Sequence, residues 1–101
     1  MAVECTCRER ELTVMLSGEL DHHGAKQVMA QMDSRIDREL PRQLTVDMGA
    51  VSFTDSSGIA VLLRAHKRMA QLDGTMSVVN VPVQAQRVFR AAGLHRMIRF
   101  L

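Results

Sequence analysis

From Val3 to Leu16 apolar residues occupy alternate positions in two short runs, Val3-Cys5-Cys7 and Leu12-Val14-Leu16, separated by the charged Arg8-Glu9-Arg10. A period of two predicts half-buried strands, and so short a connection makes the pair antiparallel. The pattern breaks at Ser17-Gly18-Glu19-Leu20-Asp21-His22-His23-Gly24, which reads as a polar loop. From Ala25 the apolar residues fall at Ala25, Val28, Met29, Met32, Ile36 and Leu40, the spacing of one helical face. Pro41 disfavours helical geometry at Leu40 and ends that helix. Leu44, Val46 and Met48 predict a third strand, and Gly49 opens a short connection. A second helical stripe joins Ile59, Leu62, Leu63, His66, Met69 and Ala70, with Gly74 placed for a left-handed stop. Met76 to Val81 reads as a fourth strand. Pro82 suits the first turn of a third helix buried through Ala85, Val88, Phe89 and Ala92. Gly93-Leu94 suits its end, and Met97 to Leu101 reads as a fifth strand.

The order is β-β-α-β-α-β-α-β. Strands that alternate with helices become parallel neighbours through right-handed crossovers. The expected fold class is therefore α/β: one domain over residues 1–101, a mixed five-stranded sheet with only the first strand antiparallel, and helices mainly on one face. Neither a linker nor an internal repeat interrupts it.

Composition narrows the function classes. The formal net charge is +2, with three Phe and no Trp or Tyr. Stacking platforms for single-stranded nucleic acid are therefore missing, and no nucleic-acid partner is expected. No apolar run approaches a membrane span of roughly 18 residues, and no signal peptide opens the chain. The expected location is cytoplasmic, off the membrane. The eight Met serve as core fillers. Cys5 and Cys7 share one strand face, which suits burial; they lack the further ligands of a zinc site. No metal or cofactor is expected.

The chemistry concentrates in Ser52-Phe53-Thr54-Asp55-Ser56-Ser57-Gly58, at a strand-to-helix junction. In parallel α/β sheets such junctions gather along one sheet edge. If the second and third strands are parallel neighbours, Asp21, His22 and His23 meet Asp55, Ser56 and Ser57 there. Four readings fit these residue types. A Ser-His-Asp hydrolase has its residues available, but the chain has no G-x-S-x-G elbow, and Asp21 adjoins His22 awkwardly for orienting its ring. A phosphate ligand at the helix start would meet neighbouring carboxylates and no P-loop lysine. Covalent phosphorylation of an exposed serine would add about −1.5 to −2 charge where the helix dipole tolerates it. The fourth reading is structural: Asp and Ser are ordinary N-caps, and Gly58 permits close packing.

The segments "GELDHHGA", "VDMGAVSFTDSSGIAVLLRAHKRM" and "AAGLHRMIRF" resemble the anti-sigma factor antagonists, small STAS-domain proteins, over nearly the whole chain. The "ELDHH" stretch resembles the sporulation branch, the anti-sigma F factor antagonists. The resemblance implies regulation of transcription by partner switching and no enzymatic activity. The unphosphorylated protein binds an anti-sigma factor that is also a GHKL-type serine kinase, and the sigma factor is freed. Phosphorylation ends the contact, and a PP2C-type phosphatase restores it. The implied acceptor is Ser56, with Ser57 starting the helix. Asp21, His22, His23, Asp55, Ser57 and Gly58 form the implied partner-binding set. A free monomer is the default expectation. The alternative within the family is a small-molecule- or nucleotide-sensing module. Departures from the family pattern are mild: Thr54 replaces a larger apolar residue, Ile59-Ala60 the frequent Leu-Gly, and Gly49 a serine. Arg64, Lys67 and Arg68 read as a solvated face of the second helix, and His66 as a residue at the core's edge.

Overall fold

A computed structural model describes residues 1–101. The strands are β1 (Ala2–Arg8), β2 (Glu11–Leu20), β3 (Gln43–Thr54), β4 (Thr75–Val79) and β5 (Arg99–Phe100). The helices are α1 (His22–Glu39), α2 (Ser56–Gln71) and α3 (Val83–Ala91). A single 3-10 turn, Leu94–Arg96, precedes β5. The sheet order is β1-β2-β3-β4-β5; β1 is antiparallel to β2 and every other pair is parallel. Both the element order and the mixed five-stranded sheet agree with the sequence reading.

Because each crossover moves one strand in the same direction, right-handed connections put all three helices on one face. The burial pattern follows from this. Leu12, Val14 and Leu16 of β2 and Leu44, Val46 and Met48 of β3 are fully covered, and so is Val78 of β4. Their alternates Thr13, Thr45 and Asp47 are half-buried on the other face, and Met15 is exposed. Cys5 and Cys7 are half-buried at the rim of the core rather than inside it, because β1 is the edge strand. Burial pushes both thiols above their ordinary pKa. The Arg35 charge opposes this at Cys5, while the Glu39 carboxylate adds to it at Cys7.

The sequence pattern misleads in five places. First, Ser17–Leu20 continues β2 instead of forming a loop, and Gly49 continues β3 instead of opening a connection, so that one strand runs on to Thr54. The two stretches pair with each other, from Ser17↔Ala50 to Leu20↔Thr54, and β3 spends one extra residue at each of two bulges. Alternation is lost because a bulge shifts the facing residue, so Met48, Val51 and Thr54 are buried at intervals of three. Asp47 braces the first bulge by accepting hydrogen bonds from the Gly49 amide (2.9 Å) and Asn80 Nδ2 (3.2 Å).

Second, α1 begins three residues early, at His22, and Leu40 is exposed in a left-handed cap with φ 45°. Third, the α2 stripe is rotated: Val61 and Ala65 are buried while Ala70 is exposed, because α2 packs on Met29, Met32 and Ile36 of α1 as well as on the sheet. Fourth, the left-handed residue after α2 is Asp73 (φ 56°), not Gly74. Gly74 is needed for space, since a Cβ there would press on the Arg42 carbonyl at 2.9 Å. Fifth, the strand ends are shorter. β4 stops at Val79, Pro82 caps α3 instead of entering it, Ala92 is exposed, and β5 is only two residues long. Gly93, with φ 75° and followed by the buried Leu94, ends α3 as expected.

Candidate functional site

Because Leu20 and Thr54 are register partners in parallel strands, β2 and β3 end side by side. The residues that follow repeat one local design. Leu20-Asp21-His22-His23-Gly24 and Thr54-Asp55-Ser56-Ser57-Gly58 each run from strand to Asp cap, two exposed or half-exposed residues, and a buried glycine. Asp21 Oδ1 accepts from the Gly24 amide at 2.8 Å, and Asp55 Oδ1 accepts from the Ser57 amide at 2.8 Å. Each carboxylate satisfies an orphan N–H and sits favourably at a helix start. The repeated D-x-x-G is legible in the sequence; reading His22 and His23 as loop residues concealed it.

Both glycines are forced by close approach. A Cβ on Gly24 would lie 2.6 Å from the Glu19 carbonyl oxygen. One on Gly58 would overlap Thr54 Oγ1 and crowd Leu20 Cδ2 (3.3 Å) and Phe89 Cε1 (3.4 Å). Thr54, fully buried, directs its hydroxyl at the Leu20 carbonyl (3.1 Å), with the Asp55 carbonyl at 3.2 Å. The threonine thus stitches the two junctions together, which a larger apolar residue could not do.

A further residue escaped the sequence reading. Pairing of β3 with β4 stops at Asp47, so the far end of β3 has a bare edge. There the Gln84 side chain donates Nε2–H to the Thr54 carbonyl (2.8 Å) and accepts from the Thr54 amide through Oε1 (3.0 Å). One amide group acts as a one-residue strand and ties α3 to the residue before the Asp55 cap. Only the topology, which leaves that edge open, could have indicated it.

The candidate residues divide accordingly. Ser56 is the first helical residue of α2 and is exposed, and its hydroxyl enters no hydrogen bond within the chain. Ser57 is second and half-exposed; its amide, not its hydroxyl, is engaged by Asp55. The cap is therefore Asp55, and Ser56 rather than Ser57 starts the helix. Gly58 is buried beneath the helix start and fixes its height. His22 and His23 are exposed in the first turn of α1, in the places that Ser56 and Ser57 take in α2.

A triad is not assembled. Both carboxylates are committed to backbone amides, and the ring of His23 turns toward Gln27 (3.5 Å) on its own helix. No group of three His, Cys, Asp or Glu side chains is arranged to hold a metal ion. Clefts of about 230 and 300 Å³ lie elsewhere, one between Val81, Phe89 and Phe100, the other between His66, Met69 and Met97. The junction is a presented edge rather than a pocket.

Of the basic residues of α2, Lys67 is solvated as expected, but Arg64 and Arg68 are engaged. Arg64 makes a bidentate pair with Asp33 of α1, donating from Nη2 to Oδ2 (2.6 Å) and from Nε to Oδ1 (3.2 Å), and Arg68 bridges Asp33 (3.0 Å) and Asp37. Hydrogen bonding and charge from Asp33 raise the Arg64 pKa still further above its ordinary value. This network clamps α2 against α1 behind the junction. No helix is long and apolar enough to cross a membrane.

A mixed sheet covered on one face, with a capped, serine-bearing helix start beside a second capped helix start, defines a class: the chain belongs to the STAS domain family, whose sequence pattern matches residues 2–101. Within that class it is similar to the anti-sigma F factor antagonist of Paenibacillus polymyxa, 37% identical over 87 residues, which are 86% of this chain and 74% of the relative. The fold matches the unphosphorylated form of the anti-sigma factor antagonist SpoIIAA with a TM-score of 0.85 and 25% identity, over 99% of this chain and 88% of that one. The phosphorylated form of the Bacillus cell fate determinant SpoIIAA matches with a TM-score of 0.77 and 24% identity, over 99% and 91%.

Proposed function

We propose that this protein is an anti-sigma factor antagonist of the sporulation type, acting in the cytoplasm as a binding protein and kinase substrate rather than as an enzyme. Unphosphorylated, it binds an anti-sigma factor of the GHKL serine-kinase type and releases the sigma factor. Phosphorylation at Ser56 ends that contact, and a PP2C-type phosphatase reverses it. The observation that carries this reading is the exposed, unengaged Ser56 hydroxyl at the first position of α2. The likeness to relatives named as anti-sigma factor antagonists supports the choice of partner.

The chemistry follows from the geometry. Asp55 already satisfies the Ser57 amide, so the Ser56 hydroxyl is spare. A phosphate there is stabilised by the helix dipole by about 0.3–1 kcal/mol, and the fold survives it. A partner packed over Asp21, His22, His23, Asp55 and Ser57 meets a new dianion. Two like unit charges about 6 Å apart at an effective dielectric near 20 repel by about 3 kcal/mol, on the order of a hundredfold in affinity.

The test is phosphorylation by the purified kinase with ATP, followed by peptide mass spectrometry. Phosphate on Ser56 is expected, and phosphate elsewhere refutes the acceptor assignment. Ser56→Ala should bind and never release, whereas Ser56→Glu should stay folded and bind poorly. Equal affinity of Ser56→Glu and wild type removes the charge switch.

A further inference from the structure

We propose that the free edge of β1 is a homodimerisation surface, on which a second copy of this chain adds its own β1 antiparallel, in the register that sets Glu4 opposite the second copy's Arg8. The inference is independent of the role of Ser56.

The edge is open and regular. β1 is the outer strand, and its seven residues pair with β2 without a bulge. The connecting turn has two left-handed residues, Glu9 (φ 53°) and Arg10 (φ 64°), so Arg8 and Glu11 form a hydrogen-bonded pair. Alternation then gives Thr6 and Glu4 inward bonds to β2, and leaves the N–H and C=O groups of Val3, Cys5 and Cys7 pointing outward. Proteins that keep such an edge single use Lys, Pro, bulges or short strands. β1 has no Lys, Pro or bulge and is seven residues long, and its two charges, Glu4 and Arg8, are of opposite sign.

The charges fix the occupant. Glu4 and Arg8 lie on the same strand face, two residues either side of Thr6. A twofold axis beside Thr6 sets Thr6 against its copy and forms two Glu4–Arg8 pairs. It also apposes Cys5 and the second copy's Cys7, so that each of these two pairs exchanges two backbone hydrogen bonds. Sliding by one pairing step puts Glu4 against Thr6, or Arg8 against Thr6; sliding further one way puts Glu4 against Glu4. One register alone therefore pairs both charges.

A twofold axis perpendicular to the sheet keeps both helix layers on one face and reverses the strand direction. The two Asp55–Gly58 junctions then lie at opposite ends of a ten-stranded sheet, both free.

Sedimentation equilibrium under reducing conditions tests this. Wild type is expected to form a weak, reversible dimer with a Kd of about 10–100 µM. Cys5→Pro deletes an outward N–H, as edge strands tolerate, together with a half-buried thiol at the rim of the core, and should be monomeric with an unchanged circular dichroism spectrum. Glu4→Arg should raise Kd about tenfold, and the swap Glu4→Arg/Arg8→Glu should return it to near the wild-type value. Wild type that stays monomeric at about 1 mM, or a dimer indifferent to Cys5→Pro, overturns the proposal. If Cys5→Pro lowers the melting temperature, the charge series decides: failure of the swap to rescue Glu4→Arg overturns the register.

Discussion

Gly58→Ala tests whether the serine-bearing helix start is held in place by contact with Thr54. The added methyl would approach Thr54 Oγ1 closer than any real Cβ does, and would press on Leu20 Cδ2 and Phe89 Cε1. Thr54 has no room to yield, being fully buried with its hydroxyl bonded to the Leu20 carbonyl. Overpacking costs about 1–3 kcal/mol, and loss of the Thr54 hydrogen bond about 1 kcal/mol more. The better helix propensity of alanine returns about 1 kcal/mol. The net expectation is a loss of about 2 kcal/mol, or a fall in Tm of about 10 °C in a domain of this size. The decisive assay is a double-mutant cycle with Thr54→Ala, followed by urea denaturation. Thr54→Ala alone loses a buried, bonded hydroxyl and should cost about 1–2 kcal/mol. With Oγ1 gone, however, Gly58→Ala should become nearly neutral, giving a coupling of about 2 kcal/mol. If the two changes add within about 0.5 kcal/mol, Thr54 is not what excludes a side chain at position 58, and the account of the junction fails.

Other consequences are more local. Gln84→Ala should cost about 1–2 kcal/mol and speed amide hydrogen exchange at Thr54; unchanged exchange there would show that Gln84 does not hold the strand end. Arg68→Met, which unties α2 from Asp33 and Asp37, should cost about 1 kcal/mol, and the loss should shrink at about 1 M salt; a salt-independent loss would point to packing instead. Both cysteines have raised pKa values, so the folded state holds thiol protons that the unfolded state gives up first. The stability tied to them is therefore complete below the ordinary thiol pKa and is lost as pH rises past it through the folded values. Alkylation by iodoacetamide should accordingly be slower in the native protein than in urea at mildly alkaline pH, and equal rates would refute this.

The sequence by itself determined the element order, the parallel core of the sheet and the junction at Asp55-Ser56-Ser57-Gly58. Alternation, helical spacing and short connections are local properties, and local properties are legible in one dimension. The same local view misread Ser17–Leu20 as a loop and Gly49 as the start of a connection, because bulges destroy alternation without ending a strand. It left Asp and Ser as equally good caps, and the helix start that the family resemblance implied, Ser57, is one residue late; only the bond from the Ser57 amide to Asp55 separates the candidates.

What the tertiary structure alone decided is which side chains meet. The Leu20↔Thr54 register brings two D-x-x-G junctions to one sheet edge and leaves the Ser56 hydroxyl spare between committed carboxylates. The early end of β4 opens the edge that Gln84 closes, and the packing of α2 on α1 turns Arg64 and Arg68 from a free basic face into a clamp. These partners lie about thirty residues apart in sequence. Their meeting depends on register and on how far each strand extends, which are set by packing across the whole sheet rather than by any one segment.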